Sequence, residues 1–199
     1  PSYFAFAVFD EDTGKMMEMR DLLRHPNPEI RKIWTTAVSN EYGKLLKGVG
    51  AKTNNGVSRV GPGHNTFVFI KKKDVPKDKK TTYARFCCDI RPQKDEKHRM
   101  RLTVGGNRLE YDGETSTEVS SMETCKIHVN HTISTKDARY YCGDIGNMYT
   151  NSRLPSPEYM RIHIRDITQE IIEEYNVMDY VDDDGYVYCE INGALYGLA

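Results

Sequence analysis

Ala138-Arg-Tyr-Tyr-Cys-Gly-Asp144-Ile-Gly-Asn-Met-Tyr149 is the stretch whose reading decides the fold. Its aromatic and apolar residues predict a strand over 138–145 that ends on one carboxylate, Asp144, with the Tyr149 ring five residues on. Two-metal phosphoryl transfer asks a protein for such fixed carboxylates, clamping divalent ions about 3.5–4 Å apart. Asp144 would be one ligand, and the Ile145 carbonyl is an oxygen suited to a hard cation. Gly146 keeps the backbone there clear of side-chain bulk. A second acidic stretch, Tyr180-Val-Asp-Asp183, brings Asp182 only 38 residues after Asp144. Its four acids and a Gly over Met178–Gly185 read better as a solvated loop than as a tight turn between apolar strands.

Around that stretch the chain reads as an α+β protein. Apolar residues 3–9 predict a first strand, closed by the turn Asp10–Gly14. Asn27 and Pro28 start a helix, with the stripe Ile30, Ile33, Trp34, Ala37, Val38, Leu45 as its core face and Gly48 as its stop. Gly and Asn then mark a loop over 48–66. Strands follow at Thr66–Ile70, Tyr83–Ile90 and Met100–Val104, the last two forming a hairpin with a basic tip that Gly105-Gly106 breaks. Residues 117–134 are helical in character, with Val119, Met122, Ile127 and Val129 among the apolar positions. After the Asp144 strand come a turn at Pro155 and Pro157, a strand over Tyr159–Ile164, a helix near Thr168–Tyr175 and a last strand over Tyr186–Ile191.

Composition narrows the partners. Of 199 residues, 38% are hydrophobic and 29% charged, and no apolar run approaches the roughly 18 residues that span a bilayer, so no membrane partner is expected. The net charge of −1 hides an asymmetry: +7 over Lys71–Arg101 and −7 over Pro155–Gly185. A basic lobe beside an acidic one suits a protein that grips a polyanion. The five cysteines are odd in number and lack CxxC spacing, which predicts buried thiols in a reducing, intracellular setting. His128 and His131 lack a third ligand at metal spacing and read as packing or surface residues. No GxxxxGK[ST] phosphate loop is present.

The order of motifs adds a resemblance. Asp144-Ile-Gly-Asn-Met-Tyr149 resembles the first catalytic-Asp motif of reverse transcriptases, and its neighbours resemble the copia-type retrotransposon subgroup. That family's Trp-x-x-Ala-Met-x-x-Glu-Tyr helix is matched at Trp34, Ala37, Val38, Glu41 and Tyr42. Its basic strand is similar to Arg99-Met-Arg101-Leu-Thr-Val-Gly-Gly106, and its Tyr-x-x-Glu-Thr-Ser element to Tyr111–Ser116. Glu158-Tyr159-Met160 and Leu195-Tyr-Gly-Leu198 complete the order, and the variant wording looks like the divergent copia-like elements of diatoms and other algae.

The resemblance implies a partial right-hand polymerase, with an antiparallel sheet and helices packed on one face. Residues 1–50 would lead into the fingers, 51–116 would carry the basic hairpin, and 117–199 would begin the palm. Asp144 and Ile145 would hold Mg²⁺ and Tyr149 would gate the sugar. Arg99 and Arg101 would contact the triphosphate of a dNTP, while Lys71–Lys80 would attract the template. A competing alignment, Tyr83-Ala-Arg85-Phe-Cys-Cys-Asp89-Ile-Arg91 with the gypsy-type strand, would give the phosphate role to Arg85 instead. The implied partners are an RNA or DNA template-primer and the rest of the polyprotein, meaning the remaining palm, the thumb and RNase H. The resemblance places the second aspartate pair beyond Ala199, so this segment alone is expected to be inactive. It departs from the family at Gly146, Asn147 and Met148, where Lys or Asp and a small Ala are usual. The alternative is a non-enzymatic nucleic-acid-binding remnant that uses the basic hairpin alone.

Overall fold

A computed structural model describes residues 6–50, 59–111, 113, 119–143 and 148–198. Two compact units divide the chain: Pro1–Glu110 with Tyr149–Leu198, and Tyr111–Met148 with Ala199.

The first unit is built on a five-stranded sheet. Its strands are β3 (Phe67–Ile70), β4 (Thr81–Ile90), β5 (His98–Val104), β6 (Arg153–His163) and β7 (Tyr186–Gly193), in the spatial order β3-β7-β6-β4-β5. Three of its pairings are antiparallel, but β4 and β6 run parallel from Thr81↔Tyr159 to Tyr83↔Arg161. The sheet is therefore mixed, where a purely antiparallel one was expected. The cause is topological: β6 returns to the sheet after the whole second unit, so no tight turn dictates its direction.

The period-two alternation of the strands separates two faces. Phe86, Cys88, Met100, Leu102, Met160, Val187, Cys189 and Ile191 point into the core. Arg85, Cys87, Asp89, Arg99, Arg101 and Thr103 occupy the alternate positions of the β4–β5 hairpin. The core face is covered at β5 by α2 (Pro28–Leu45), which is met in turn by α5 (Gln169–Glu174). Asn27 caps α2 by accepting the Glu29 N–H at 3.0 Å, and Pro28 fills the first helical position, where its missing N–H costs nothing. Trp34, Ala37, Val38 and Leu45 are buried as the stripe predicts, but Ile33 is 41% exposed, because it lies at the margin of the face that β5 covers.

A small hairpin precedes α2. It pairs β1 (Val8–Asp10) with β2 (Lys15–Met17) around a turn that Gly14 closes at φ +67°, and a short helix, α1 (Met19–Leu22), follows. The first strand is thus later and shorter than residues 3–9, of which 3–5 lie outside the described residues. Pro155 and Pro157 fall inside β6 rather than in a turn before it. A register shift between Arg153 and Glu158 takes up the positions at which proline offers no ladder donor.

The described part of the second unit is dominated by α3 (Met122–Ser134), capped by the Ser121 hydroxyl, which accepts the Thr124 N–H. None of its side chains is buried, and Val119, Met122, Ile127, Val129 and Ile133 are exposed. Ala138–Gly143 form no strand, contrary to expectation. A strand needs a neighbour for its N–H and C=O groups, and among the described residues none pairs with this segment. Asp144–Asn147 lie outside the described residues.

Candidate functional site

The helix motif and the basic strand meet at a single hydrogen bond. β5 is an edge strand, so its outward N–H groups need partners other than a sixth strand. The Glu41 carboxylate, reaching from α2, accepts the Leu102 N–H at 3.0 Å. Burial pushes the Glu41 carboxyl above its ordinary range, against the Leu102 N–H and the fields of Lys44, Arg99 and Arg101. On either side of it, the Trp34 ring meets His98 edge-on at 5.3 Å and the Tyr42 hydroxyl donates to the Asp166 carbonyl at 3.2 Å. Two motif residues of one helix, Trp34 and Glu41, thus meet the strand that carries Arg99 and Arg101.

The Leu195-Tyr-Gly-Leu198 element closes the rest of that edge. The Val104 N–H donates to the Tyr196 carbonyl at 2.8 Å. Gly197 adopts φ +96°, and a methyl group on it would run into the Val104 carbonyl. A methyl on Gly106 would run into the Gly197 carbonyl in the same way. The glycines of two motifs are therefore there to let two backbones touch.

This contact sets Tyr196 beside the basic strand. The Arg101 guanidinium lies 4.2 Å from the centre of the Tyr196 ring, and that ring stacks on Tyr149 at 5.6 Å with 14° between their planes. The Tyr149 hydroxyl donates to the Leu198 carbonyl at 3.3 Å. Tyr149 stands in a four-residue helical turn, α4 (Met148–Asn151). In front of Tyr196 opens a cleft of about 430 Å³, whose lining includes Cys87, Asp89, Arg99, Arg101 and Thr103. Asp89 faces Arg99, and Cys87 faces Arg101, in direct cross-strand register. Burial raises the Cys87 thiol above its ordinary value, although the Thr103 hydroxyl pulls it down.

Of the residues expected from sequence, the structure sets Arg99 and Arg101 on one cleft and links Arg101 to Tyr149 through the Tyr196 ring. Arg85 stands on β4 opposite Thr103, with its guanidinium 3.4 Å from the centre of the Phe6 ring, and it does not line the Arg101 cleft. Asp144 and Ile145 lie outside the described residues. Among the described residues no group of three or more His, Cys, Asp and Glu side chains is arranged to hold a metal ion.

Tyr180-Val-Asp-Asp183 has a structural role. Asp182 accepts the Tyr186 N–H at 2.8 Å and the Asp184 N–H at 3.1 Å, and Lys72 lies 3.3 Å from its other oxygen. It thereby shapes the turn into β7. The lysine-rich stretch is partly neutralised as well: Lys72 is shared by Asp182 and Asp184, Lys79 pairs with Glu158 and Lys80 with Glu110. Of the two readings for His128 and His131, packing or surface, the structure shows the second: both are exposed. The cysteines divide: Cys88 and Cys189 are buried and Cys87 is half-buried, but Cys125, on a helix with no buried side chain, and Cys142 are exposed.

No family model, curated protein or solved structure matches this chain. Among the described residues no helix is long and apolar enough to cross a membrane. The sequence motifs did not assign Tyr196 a side-chain role. Its signal was the aromatic residue embedded in a glycine-bearing motif, which reads as backbone until the ring's neighbours are seen.

Proposed function

We propose that this chain is the fingers and first palm segment of an RNA-directed DNA polymerase of the copia type, and that the Arg101 cleft receives the triphosphate of the incoming nucleotide. The observation that carries this reading is the Arg101–Tyr196–Tyr149 stack, in which three motifs far apart in sequence meet. Arg99 and Arg101 project from adjacent same-face positions of one strand, so two guanidinium groups offer fixed forks of N–H donors to phosphate oxygens. Phosphoryl transfer is catalysed mainly by positioning and charge stabilisation, which is the contribution such donors make. The Tyr196 ring beneath Arg101 holds the guanidinium in place without neutralising it. Tyr149, locked by its stack and by its bond to Leu198, presents a rigid ring suited to reading the sugar by volume. Mg²⁺ bound at Asp144 would supply charge neutralisation at the reacting phosphate. What the arginines and tyrosines do does not depend on its geometry.

The test is titration of the chain with a fluorescent deoxynucleoside triphosphate, with and without Mg²⁺. Binding that requires Mg²⁺, weakens at least tenfold in R101Q and is lost in D144A supports the polymerase site. Steeply salt-dependent oligonucleotide binding, with no nucleotide binding under any condition, would give the chain to the non-enzymatic reading instead.

A further inference from the structure

A second cleft lies where the sheet comes apart. β4 and β6 pair in parallel only from Thr81↔Tyr159 to Tyr83↔Arg161. From Ala84 onward β4 turns to β5, while β6 stays with β7 as far as His163↔Tyr186. The strand order β7-β6-β4-β5 then takes the chain out of the pair in opposite directions. Two parallel strands that part in this way leave a crevice at their carboxyl ends, the place where open α/β sheets take their ligands. Here the crevice has a volume of about 250 Å³, and Ala84 and Ile162, the next residues on the two strands, line it. It shares no lining residue with the Arg101 cleft.

The charges that line the crevice do not cancel. They are Arg20, Arg108, Arg161 and Asp166. Asp166 is taken up by Arg20 through two bonds of 2.6 and 2.7 Å. Among the described residues neither Arg108 nor Arg161 forms an ion pair. Three arginines against one aspartate leave a net +2, carried by Arg108 and Arg161. Each of these guanidinium groups is held over a ring, Arg108 at 4.8 Å from the centre of Tyr83 and Arg161 at 4.8 Å from that of Tyr186. Gly105 lies so close to Tyr83 that a methyl group on it would strike the ring, and His163 meets Tyr186 edge-on at 5.0 Å. The rings are thus platforms for the cations and not open faces on which a ligand could stack. A guanidinium lying on a ring keeps the N–H donors of its rim free for oxygen acceptors. His163 accepts the Arg165 N–H on Nδ1 at 3.2 Å, which leaves Nε2 as that ring's donor.

We propose that this crevice binds a phosphate dianion, free or at the end of a small ester, between the guanidinium forks of Arg108 and Arg161. The charge selects the ligand: a phosphate group carries about −1.5 to −2 at neutral pH and matches both cations, whereas a single carboxylate leaves one of them unmatched. The fork geometry suits its oxygens, which two guanidinium groups can engage in pairs. The size selects a small molecule, because the volume falls below the roughly 300–1,000 Å³ of sites for drug-sized ligands. A strand of nucleic acid would need stacking faces for its bases, and the covered rings withhold them. The site does not rest on the polymerase reading.

The experiment is an NMR titration of the full chain at constant ionic strength, following the Nε–H signals of Arg108 and Arg161. The probes are inorganic phosphate, glycerol phosphate and, as a monoanion, acetate. The two phosphates should move both signals along one saturating curve, and the tighter of them identifies the source of the dianion. R161Q should weaken the binding read at Arg108 by at least about tenfold, and R108Q that read at Arg161, since each variant removes hydrogen bonds to a charged ligand. K73Q/K77Q, which takes two charges from elsewhere on the surface, should leave it within about twofold. Shifts that rise without saturating, or R161Q binding as the parent does at an unchanged melting temperature, overturn the proposal. So does acetate binding as tightly as phosphate. A short oligouridine that moves both signals at lower concentration than either phosphate overturns it as well and gives the crevice to nucleic acid. A deoxynucleoside triphosphate added to the same samples tests the Arg101 cleft separately. Its failure to move the Arg101 signal, with phosphate still bound at Arg108 and Arg161, would sink the polymerase reading and leave this site standing.

Discussion

Replacing Glu41 by alanine removes the acceptor that the Leu102 N–H meets at 3.0 Å inside the protein. A buried N–H left without a partner costs about 1–3 kcal/mol. The lost side-chain methylenes add about 0.8 kcal/mol for each one buried. The sum, about 2–4 kcal/mol, should lower the melting temperature by roughly 5–15 °C in a chain of this size. E41Q keeps an acceptor in the same place and removes the charge, which gives the experiment a second arm. The Glu41 carboxyl is held above its ordinary value of 4.5 by burial. A raised carboxyl contributes stability that is full below the unfolded value and is lost as pH rises through the folded one. The wild type must bury a charge at neutral pH that it need not bury in acid, and E41Q never does. The stability of E41Q relative to wild type should therefore grow from about pH 4 to pH 7.5, by about 1.4 kcal/mol for each unit between the unfolded and folded values. Urea melts of both proteins across that range measure the difference, and all other titrating groups cancel in it. A difference that stays flat or shrinks with pH, or an alanine variant within about 0.5 kcal/mol of wild type, would refute the account of Glu41 as the clasp of β5.

Three further outcomes are expected. G197A should lose at least about 2 kcal/mol, through its positive φ and its collision with the Val104 carbonyl, and should weaken triphosphate binding by displacing Tyr196; a wild-type melting temperature would contradict the close approach of the two backbones. Burial tends to raise the Asp182 carboxyl, but the Tyr186 N–H and Lys72 hold it below its ordinary value, so its contribution is present above the unfolded carboxylate range and is lost as pH falls through the folded value. D182N should accordingly melt lower than wild type near pH 7 and alike near pH 2, with nucleotide binding untouched; loss of Mg²⁺-dependent nucleotide binding in a folded D182N would make Asp182 a metal ligand after all. Burial pushes the Cys88 thiol up to about 12, and Cys189 is fully enclosed, so neither should react with a thiol reagent at neutral pH until the chain unfolds, while Cys125 and Cys142 react at once.

Legibility of the chain followed the range of the interactions involved. The helix from Pro28, its cap, the β4–β5 hairpin and the α5 helix were readable because caps, turns and periodicity are local. Asp182 was read as part of an acidic loop leading into β7, and it bonds within that turn, since four acids and a Gly in one short segment are a local signal. What escaped was set by distant partners. The parallel β4–β6 pairing depends on where a strand returns after a second unit, and no pattern inside β6 records it. Pro155 and Pro157 suggested a turn, but a register shift lets a strand carry them. Ala138–Gly143 have the composition of a strand and, among the described residues, find no neighbour to make them one. At the site, arginines spaced by two on a strand announced a shared face, whereas the stacking of Tyr196 between Arg101 and Tyr149 is a tertiary fact.

The bond from the Val104 N–H to the Tyr196 carbonyl joins residues 92 positions apart, with the whole second unit between them. Loop closure must be met before such a bond returns anything, so this part of the sheet assembles late. On a ribosome, β5 emerges and pairs with β4 long before residue 196 is made. Through that interval its outer edge displays free N–H and C=O groups, the template on which strands of other chains pair. Over the same interval Glu41, which lies upstream, already holds Leu102. A residue that looks like a fastening in the finished molecule is also a guard during synthesis, standing over an edge whose final cover has yet to arrive.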